Sequence, residues 1–313
     1  VAARLRRGAT EWETAALFWD APDRNDHASA LLWDGQDTLF HLNGLCTDGT
    51  WGKLILIQRT STDNGATWSK ARIISPVHGL RNMPIANAFI ARNGDFVLPC
   101  DAVTGGKGGS IVHVSSDHGA TWRDMSAGVP CPGFVAGGTG SYIAGIHAGV
   151  VDLLDGRLLA FGRGDTIDDR MPMSVSADMG RTWTYSVSDF PPIYSGQRLT
   201  LHRLNEGPLL LTSFAEEMTV KDASGQDRKV SGLFAALSFD DGKTWPTRRL
   251  ITDGKPDRPM DGGGNTDAFV LGPNSAEPRG YFTLVQTPDN IIHLLSSRLH
   301  YRFNLAWLET PML

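Results

Sequence analysis

The phrase Ser-x-Asp-x-Gly-x-Thr-Trp occurs four times in this chain, and it decides the fold. Its copies run from Ser61 to Trp68, from Ser115 to Trp122, from Ser176 to Trp183 and from Ser238 to Trp245. The aspartates at positions 63, 117, 178 and 240 are separated by 54, 61 and 62 residues. A nearly regular period of this length indicates supersecondary units that stack in series.

Each copy of the phrase predicts a tight hairpin turn. Asp, Ser and Thr side chains bond to nearby backbone amides, and Gly adopts a positive φ without steric cost. Extended apolar stretches flank the phrase, as Leu54–Ile57 and Ala71–Ile74 do around the first copy. Because Trp is large and mostly buried, we expect four equivalent, largely buried tryptophans. They are Trp68, Trp122, Trp183 and Trp245.

A second series of hairpin turns fills the intervals between these phrases. Dipeptides of the Asp-Gly and Asn-Gly kind are the strongest short hairpin signal. The turns are Asp34-Gly35, Asn93-Gly94, Asp155-Gly156, Asn205-Glu-Gly207 and Asp289-Asn290. The two series together predict four-stranded antiparallel blades, and the chain contains five blade starts.

The repeated phrase is the Asp-box, or BNR repeat, and the chain resembles the sialidase-like β-propeller superfamily on that ground over nearly its whole length. The resemblance implies an all-β propeller formed by residues 1–313 as one domain. The stretch before Asp20 predicts only the third and fourth strands of a blade, so its first strands would lie upstream of Val1. Six blades are favoured on this basis. The alternative is five blades, with the N-terminal strand closing the last one.

Two stretches interrupt the strand rhythm. Glu216–Val230 is polar and is expected to form a long surface loop. Thr252–Pro278 is rich in Gly, Pro and Asp, and we expect an insertion that could overhang the ligand face.

Composition excludes several function classes. A net charge of −5 argues against a nucleic-acid partner, and no apolar run is long enough to predict a membrane span. The three cysteines have neither zinc-site spacing nor the even number of a disulfide framework, so we expect small buried hydrophobes. Nucleotide-binding and zinc-site motifs are absent from the sequence, so no cofactor or metal is expected. The compartment is undetermined; only the family resemblance favours a secreted or periplasmic protein.

Charged residues recur where the blades begin. The first strands of a propeller start at one end of its channel, and a cation or potential cation stands at each start. These residues are His27, Arg81, His147, Arg198 and Arg279. We therefore expect one mouth of an acidic protein to attract carboxylate or sulfate groups, which Arg recognises well. The second strands end on the same face and add Asp101, Arg163, Asp165, Glu216, Glu217 and Arg298. Their acids are either general acids or partners of the arginines.

The resemblance also implies roles for individual residues. Sialidases bind the substrate carboxylate with three arginines, and they use a Tyr nucleophile activated by Glu and an Asp acid/base. The segment Arg279-Gly-Tyr281 resembles the strand that carries this Tyr, so Tyr281 is the expected nucleophile. The first-blade Arg-Ile-Pro motif is absent. His27 and His147 stand where the family does not usually place histidine, which suits a general base near neutral pH.

The sequence thus predicts a sialidase-like glycoside hydrolase acting on an acidic oligosaccharide or polysaccharide that contains sialic or uronic acid. The expected catalytic residues are Tyr281, His27, His147 and Asp101. The expected substrate-binding residues are Arg81, Arg163, Arg198, Arg279 and Arg298. Two alternatives remain open: a uronate-directed hydrolase or lyase with His27 or His147 as base, and a non-catalytic propeller that binds carbohydrate or protein.

Overall fold

A computed structural model of the protein describes residues 1–46, 52–79, 81–102, 107–264, 266–296 and 298–312. The chain forms an all-β propeller whose described part contains five blades of antiparallel strands in sequence order. Within each blade, consecutive strands pair with one another, as the two series of predicted hairpin turns require. The four-stranded, all-β expectation is therefore confirmed, while the preference for six blades is wrong.

The first three blades contain fourteen strands. Blade 1 comprises β1 (Asn25–Trp33), β2 (Leu39–Cys46), β3 (Leu54–Ser61) and β4 (Arg72–Gly79). Blade 2 comprises β5 (Met83–Pro84), β6 (Phe89–Ile90), β7 (Phe96–Asp101), β8 (Ser110–Ser115) and β9 (Arg123–Asp124). Blade 3 comprises β10 (Thr139–Gly140), β11 (Ile146–Asp152), β12 (Leu158–Arg163), β13 (Pro172–Ser176) and β14 (Trp183–Val187). Strand β6 continues the innermost strand of blade 2, and β10 lies outside β14.

The remaining two blades are separated by a small hairpin. Blade 4 comprises β15 (Thr200–Arg203), β16 (Leu209–Lys221), β17 (Asp227–Ser238) and β18 (Thr247–Leu250). The hairpin comprises β19 (Arg258–Asp261) and β20 (Ala268–Leu271). Blade 5 comprises β21 (Thr283–Gln286), β22 (Ile292–Leu295) and β23 (His300–Phe303), and helix α1 (Leu305–Glu309) follows it. Among the described residues no helix is long and apolar enough to cross a membrane.

Residues 1–19 do not add a further blade to the five that the described residues form. A single antiparallel bridge joins Ala2 to Ala16, and no strand ladder among the described residues continues from it. The segment instead packs by side chains between the first and last blades. Trp12 Nε1 donates to His300 Nδ1 of β23 at 3.3 Å, while Phe18 packs edge-on against Trp68 of blade 1. The alternative closure, in which this segment completes blade 5 as a strand, is likewise not formed by the described residues.

The apolar core lies between neighbouring blades. One cluster joins blades 1 and 2, a second joins blades 2 and 3, and the largest joins blades 3, 4 and 5 to helix α1. The Asp-box tryptophans take part unequally. Trp183 and Trp245 are buried, at 0% and 7% exposure, whereas Trp68 and Trp122 are only partly buried. The expectation that all four tryptophans are largely buried is thus correct for two of them and wrong for Trp68 and Trp122.

Two interruptions of the strand rhythm have defined structures. Glu216–Val230 was expected to be a loop, but β16 and β17 extend through it and turn only near Asp222. Val220 and Val230 are buried there, and Met312 of the C-terminal segment packs in the same apolar cluster, so the extended hairpin has a buried face. The insertion before blade 5 contains the β19–β20 hairpin, and Arg298 in the connection between β22 and β23 forms an ion pair with Asp261 of β19.

Candidate functional site

Six of the predicted site residues lie close together, and together they come from all five blades. They are His27 of β1, Asp101 of β7, His147 of β11, Arg163 of β12, Arg198 before β15 and Tyr281 before β21. Each stands at the start of a first strand or at the end of a second strand. That topology brings such positions to one end of the blades, as the sequence predicted.

Tyr281 is the centre of this cluster. Its hydroxyl oxygen accepts a hydrogen bond from Arg163 Nη1 at 3.0 Å. The guanidinium of Arg198 lies over its ring, with Cζ 4.7 Å from the ring centroid. The imidazole of His147 meets the same ring edge-on, with centroids 5.6 Å apart. A phenol therefore lies among two guanidinium groups and one imidazole.

Asp101 holds His147 from two sides. Its Oδ1 accepts the backbone amide of His147 at 2.6 Å, and its Oδ2 lies 2.6 Å from His147 Nδ1. Both side chains are buried. Burial lowers the pKa of His147, the Asp101 carboxylate opposes that effect, and the charges of Arg198 and Arg163 reinforce it. The imidazole is therefore neutral near pH 7 and able to accept a proton.

Among the described residues, neither of the two central arginines forms an ion pair with a carboxylate. Arg163 is buried, and its Nη1 also donates to the Gln197 carbonyl at 2.8 Å. The Nε of Arg198 is buried, and no described residue accepts a hydrogen bond from it. Burial lowers the pKa of Arg198, while the nearby Asp101 carboxylate raises it. Because an unpaired buried charge is costly, this arrangement suits an anionic ligand group.

His27 borders the cluster from blade 1. It is half-buried, and burial together with the charge of Arg198 lowers its pKa. A register shift lies between His27 and Ser29, and the residue between them has a φ of 56°. The His147 segment repeats this feature, with a shift between Ile146 and Gly149 and a φ of 51° at His147.

The repetition was visible in the sequence. His27-Ala-Ser29 and His147-Ala-Gly149 share the pattern His-Ala-small at the start of a first strand. Small residues favour the close backbone approach and the irregular pairing of a bulge. This shared pattern is the sequence signal that indicates the two bulged strand starts.

Three predicted substrate-binding arginines have no described contact with Tyr281, and two of them form ion pairs with other residues. Arg81 forms an ion pair with Asp124 of β9, and it also donates to the Tyr142 hydroxyl. Arg298 forms its exposed ion pair with Asp261. Arg279 is exposed, and its Cδ packs against Gly196. Their roles in binding substrate stay predictions.

The other acidic residues predicted at strand ends have contacts outside the cluster around Tyr281. Asp165 accepts the Gly108 amide at 2.7 Å, and burial raises its pKa. Glu217 forms an exposed ion pair with Lys229 on the long hairpin, and Glu216 is exposed. Among the described residues, no group of three or more His, Cys, Asp and Glu is arranged to hold a metal ion.

Two contributors were not predicted. The Gln197 carbonyl fixes Arg163, and Ser110 bonds to Asp101. A backbone carbonyl carries no side-chain signal, and a buried serine in a strand resembles any other in sequence. Neither could be selected before the blades were assembled.

The sequence of this chain is similar to that of known BNR-repeat proteins. The BNR repeat-like domain model matches residues 2–294. The chain is 25% identical over 271 residues to a sialidase of Micromonospora viridifaciens, covering 80% of this chain and 35% of that protein. The chain thus spans about a third of that relative's length.

Solved structures agree on the fold. The Hadza microbial sialidase Hz136 superposes with a TM-score of 0.64 at 16% identity, covering 97% of this chain and 59% of that chain. A protein of unknown function from Dyadobacter fermentans gives 0.58 at 17% identity, covering 93% and 79%. Trypanosoma rangeli sialidase in complex with sialic acid gives 0.55 at 17% identity, covering 96% and 46%. The chain belongs to the BNR repeat-like domain family and is a sialidase-like β-propeller.

Proposed function

We propose that the protein is a glycoside hydrolase that acts on an acidic carbohydrate, with Tyr281 as nucleophile. The observation that carries the proposal is the position of the Tyr281 phenol between Arg163, Arg198 and the His147–Asp101 pair. A neutral phenol needs a neighbouring base at neutral pH, and His147 supplies one. A tyrosine also avoids the repulsion that a carboxylate nucleophile would exert on an anionic sugar, as in sialidases.

The proposed reaction has two steps. The Tyr281 oxygen bonds to the anomeric carbon while the glycosidic carbon–oxygen bond breaks. His147 takes the phenol proton, and the departing oxygen takes up a proton from solvent on the opposite face of the sugar. Water then attacks the anomeric carbon while the bond between that carbon and the Tyr281 oxygen breaks. The water releases a proton to solvent, and the phenolate recovers its proton from His147. Asp101 stabilises the imidazolium in both steps, as the carboxylate of a Ser-His-Asp triad does.

The arginines have separate tasks in this proposal. Arg163 donates to the phenol oxygen and stabilises the charge that develops there. Arg198 is only partly buried and forms no ion pair with a described carboxylate, so it is the group available to the substrate carboxylate. The relatives named sialidase support a carbohydrate ligand, and the choice between sialic and uronic acid belongs to the experiment.

The test is Tyr281→Phe, assayed with aryl glycosides of sialic acid and of uronic acids. We expect turnover to fall by at least about 10³-fold, because the nucleophile is removed. Binding of the acid sugar, measured by calorimetry, should stay within about twofold because both guanidiniums remain. Tyr194→Phe, which alters an exposed tyrosine before β15, is the control and should keep wild-type rates. Binding without turnover by the wild type would instead support a carbohydrate-binding propeller.

A second candidate is a uronate lyase, favoured by the combination of His147 with the available Arg198. In a β-elimination, Arg198 would neutralise the uronate carboxylate and a histidine would remove the adjacent ring proton. The glycosidic carbon–oxygen bond at the next ring carbon would break, and the departing oxygen would take a proton from solvent. The product would carry an unsaturated uronate that absorbs in the ultraviolet, whereas a hydrolase product would not. In that case His147→Ala or His27→Ala should silence the enzyme, and Tyr281→Phe should retain measurable rate.

A further inference from the structure

Ser110 occupies a junction between blades 2 and 3. It lies on β8 directly opposite Asp101 of β7 in the strand register, and it is fully buried. Its Oγ lies 3.3 Å from Asp101 Oδ1 and 3.0 Å from the carbonyl of Gly145. The same oxygen accepts the amide of Ala148 at 3.4 Å. One hydroxyl thus contacts the carboxylate beside His147 and both ends of the segment that carries it.

The segment held in this way is conformationally unusual. His147 has a φ of 51° and Gly145 a φ of 88°, and both lie in the left-handed region. A Cβ at Gly145 would lie 2.8 Å from the backbone nitrogen of Arg163, so the segment is pressed against β12. A non-glycine residue persists in this region only where its surroundings over-determine it. Here the His147 amide donates to Asp101 Oδ1, the oxygen that Ser110 also contacts.

The carboxylate therefore divides its two oxygens between two tasks. Oδ1 holds the backbone of His147, and Oδ2 contacts the ring at Nδ1. With Nδ1 facing Asp101, the Nδ1-protonated tautomer leaves Nε2 as the nitrogen that accepts a proton. The ring then meets Tyr281 edge-on. Any loosening at Oδ1 changes where this ring sits.

We propose that Ser110 is a positioning residue, which acts through Asp101 and the Gly145–Ala148 segment to aim the His147 imidazole at Tyr281. The proposal rests on the proposed function only for its effect on turnover. The positioning itself is a statement about His147 and is measurable without substrate.

The test compares Ser110→Ala with Ser174→Ala. Ser174 is also fully buried and accepts the amide of Ala144, one residue before the same segment, and it has no described contact with Asp101 or His147. Both variants lose one buried hydroxyl, so they should lose similar stability. We expect Ser110→Ala to reduce kcat about tenfold with KM unchanged, since misplacement of a reacting group lowers turnover. Ser174→Ala should keep its kcat within about twofold.

A second readout does not depend on activity. Nitrogen chemical shifts of His147 should show the Nδ1-protonated tautomer in the wild type and in Ser174→Ala, and a tautomer mixture in Ser110→Ala. If Ser110→Ala does not fold, Ser110→Cys keeps nearly the same volume with a weaker donor and should show the same change.

The possible outcomes separate the two proposals. Equal kcat losses in the two alanine variants, or an unchanged His147 tautomer in Ser110→Ala, would overturn the positioning role. A wild-type protein without turnover, with the tautomer change still present, would refute the hydrolase and leave the positioning role standing.

Discussion

The tryptophans of the Asp-boxes hold one sequence position and meet different surroundings. Trp183 is fully buried, and its Nε1 donates to Gly180 of its own turn at 3.1 Å. Trp122 is partly buried, and its Nε1 donates to Gln58 of blade 1 at 2.8 Å. The motif therefore sets the position of each Trp in its turn. The neighbouring blade sets how much of the indole is buried.

This difference predicts unequal costs of substitution. Trp183→Ala should reduce the free energy of unfolding by about 3–5 kcal/mol, the usual cost of emptying a core site of this size. Trp122→Ala should cost clearly less, because part of the ring already contacts water. Denaturant titration of both variants at one pH measures the difference. Similar losses in the free energy of unfolding would mean that the burial of the indole does not set the cost of the substitution.

At the scale of the element, the Asp-box is a turn closed by its own side chains. In the first copy Ser61 Oγ accepts the Gly65 amide at 2.8 Å, and Asp63 accepts the Thr67 amide at 2.8 Å. Both central residues have positive φ, 57° at Asn64 and 76° at Gly65, which is the geometry of a type I′ hairpin turn. Hydrogen bonds from Thr67 and Ser61 lower the pKa of Asp63 to about 2.

The Gly of this turn also approaches the preceding blade. A Cβ at Gly180 would lie 2.3 Å from Cγ2 of Val112, a fully buried residue of β8. A Cβ at Gly65 would meet nothing closer than 3.4 Å, which is ordinary contact. The same motif position is therefore a docking point in blade 3 and a local turn in blade 1.

We expect Gly180→Ala to destabilise the protein more than Gly65→Ala. Both substitutions place a side chain at positive φ and share that strain, about 1 kcal/mol. Gly180→Ala adds a steric clash in a packed core, which typically costs a further ~1–3 kcal/mol. The difference in stability between the two variants, measured by thermal unfolding, gives the cost of the clash. A larger loss of stability in Gly65→Ala would contradict the close contact between Gly180 and Val112.

At the scale of the whole molecule, side chains connect blades that are distant in sequence. Residues 1–19 bridge blade 1 and blade 5, and they cover His41, which packs edge-on against Phe18 and Trp19. Asn87, after β5, links blade 2 to blade 5 through the Leu284 carbonyl and the Thr283 hydroxyl. Assembly of the blades thus buries groups that each blade alone would leave in water.

Two histidines, the buried His41 and the half-buried His202, make the stability of this assembly depend on acid. Burial lowers the pKa of His41 and of His202 to about 4, from an ordinary value near 6.5. Their neutral forms stabilise the folded state fully above the unfolded value, and that contribution is lost as the pH falls from about 6.5 towards 4.

Unfolding measured across this window should show stability decreasing with acid. His41→Gln and His202→Gln should each flatten that decrease, because they remove a group that takes up a proton on unfolding. His78→Gln changes an exposed histidine and is the control. An unchanged slope in both buried-site variants would contradict the assignment.

The sequence by itself determined the repeating unit. Turn chemistry and strand periodicity are local, so four Asp-boxes and five inner hairpins were sufficient to predict antiparallel blades in order. The number of blades was not local. Residues 1–19 suggested two strands, but they form a single bridge and pack by side chains instead, through pairs such as Trp12 and His300 that are 288 positions apart.

The candidate site divides in the same way. Strand order alone placed Tyr281, His147, Arg163 and Arg198 at one end of the blades, because equivalent strand ends must meet there. The same argument selected Arg81, whose charge is instead taken by Asp124. Only the tertiary structure shows which arginine has a carboxylate partner and which carboxylate contacts His147. Such pairing is fixed by distances of a few ångströms between strands of different blades, and strand position in the sequence does not encode them.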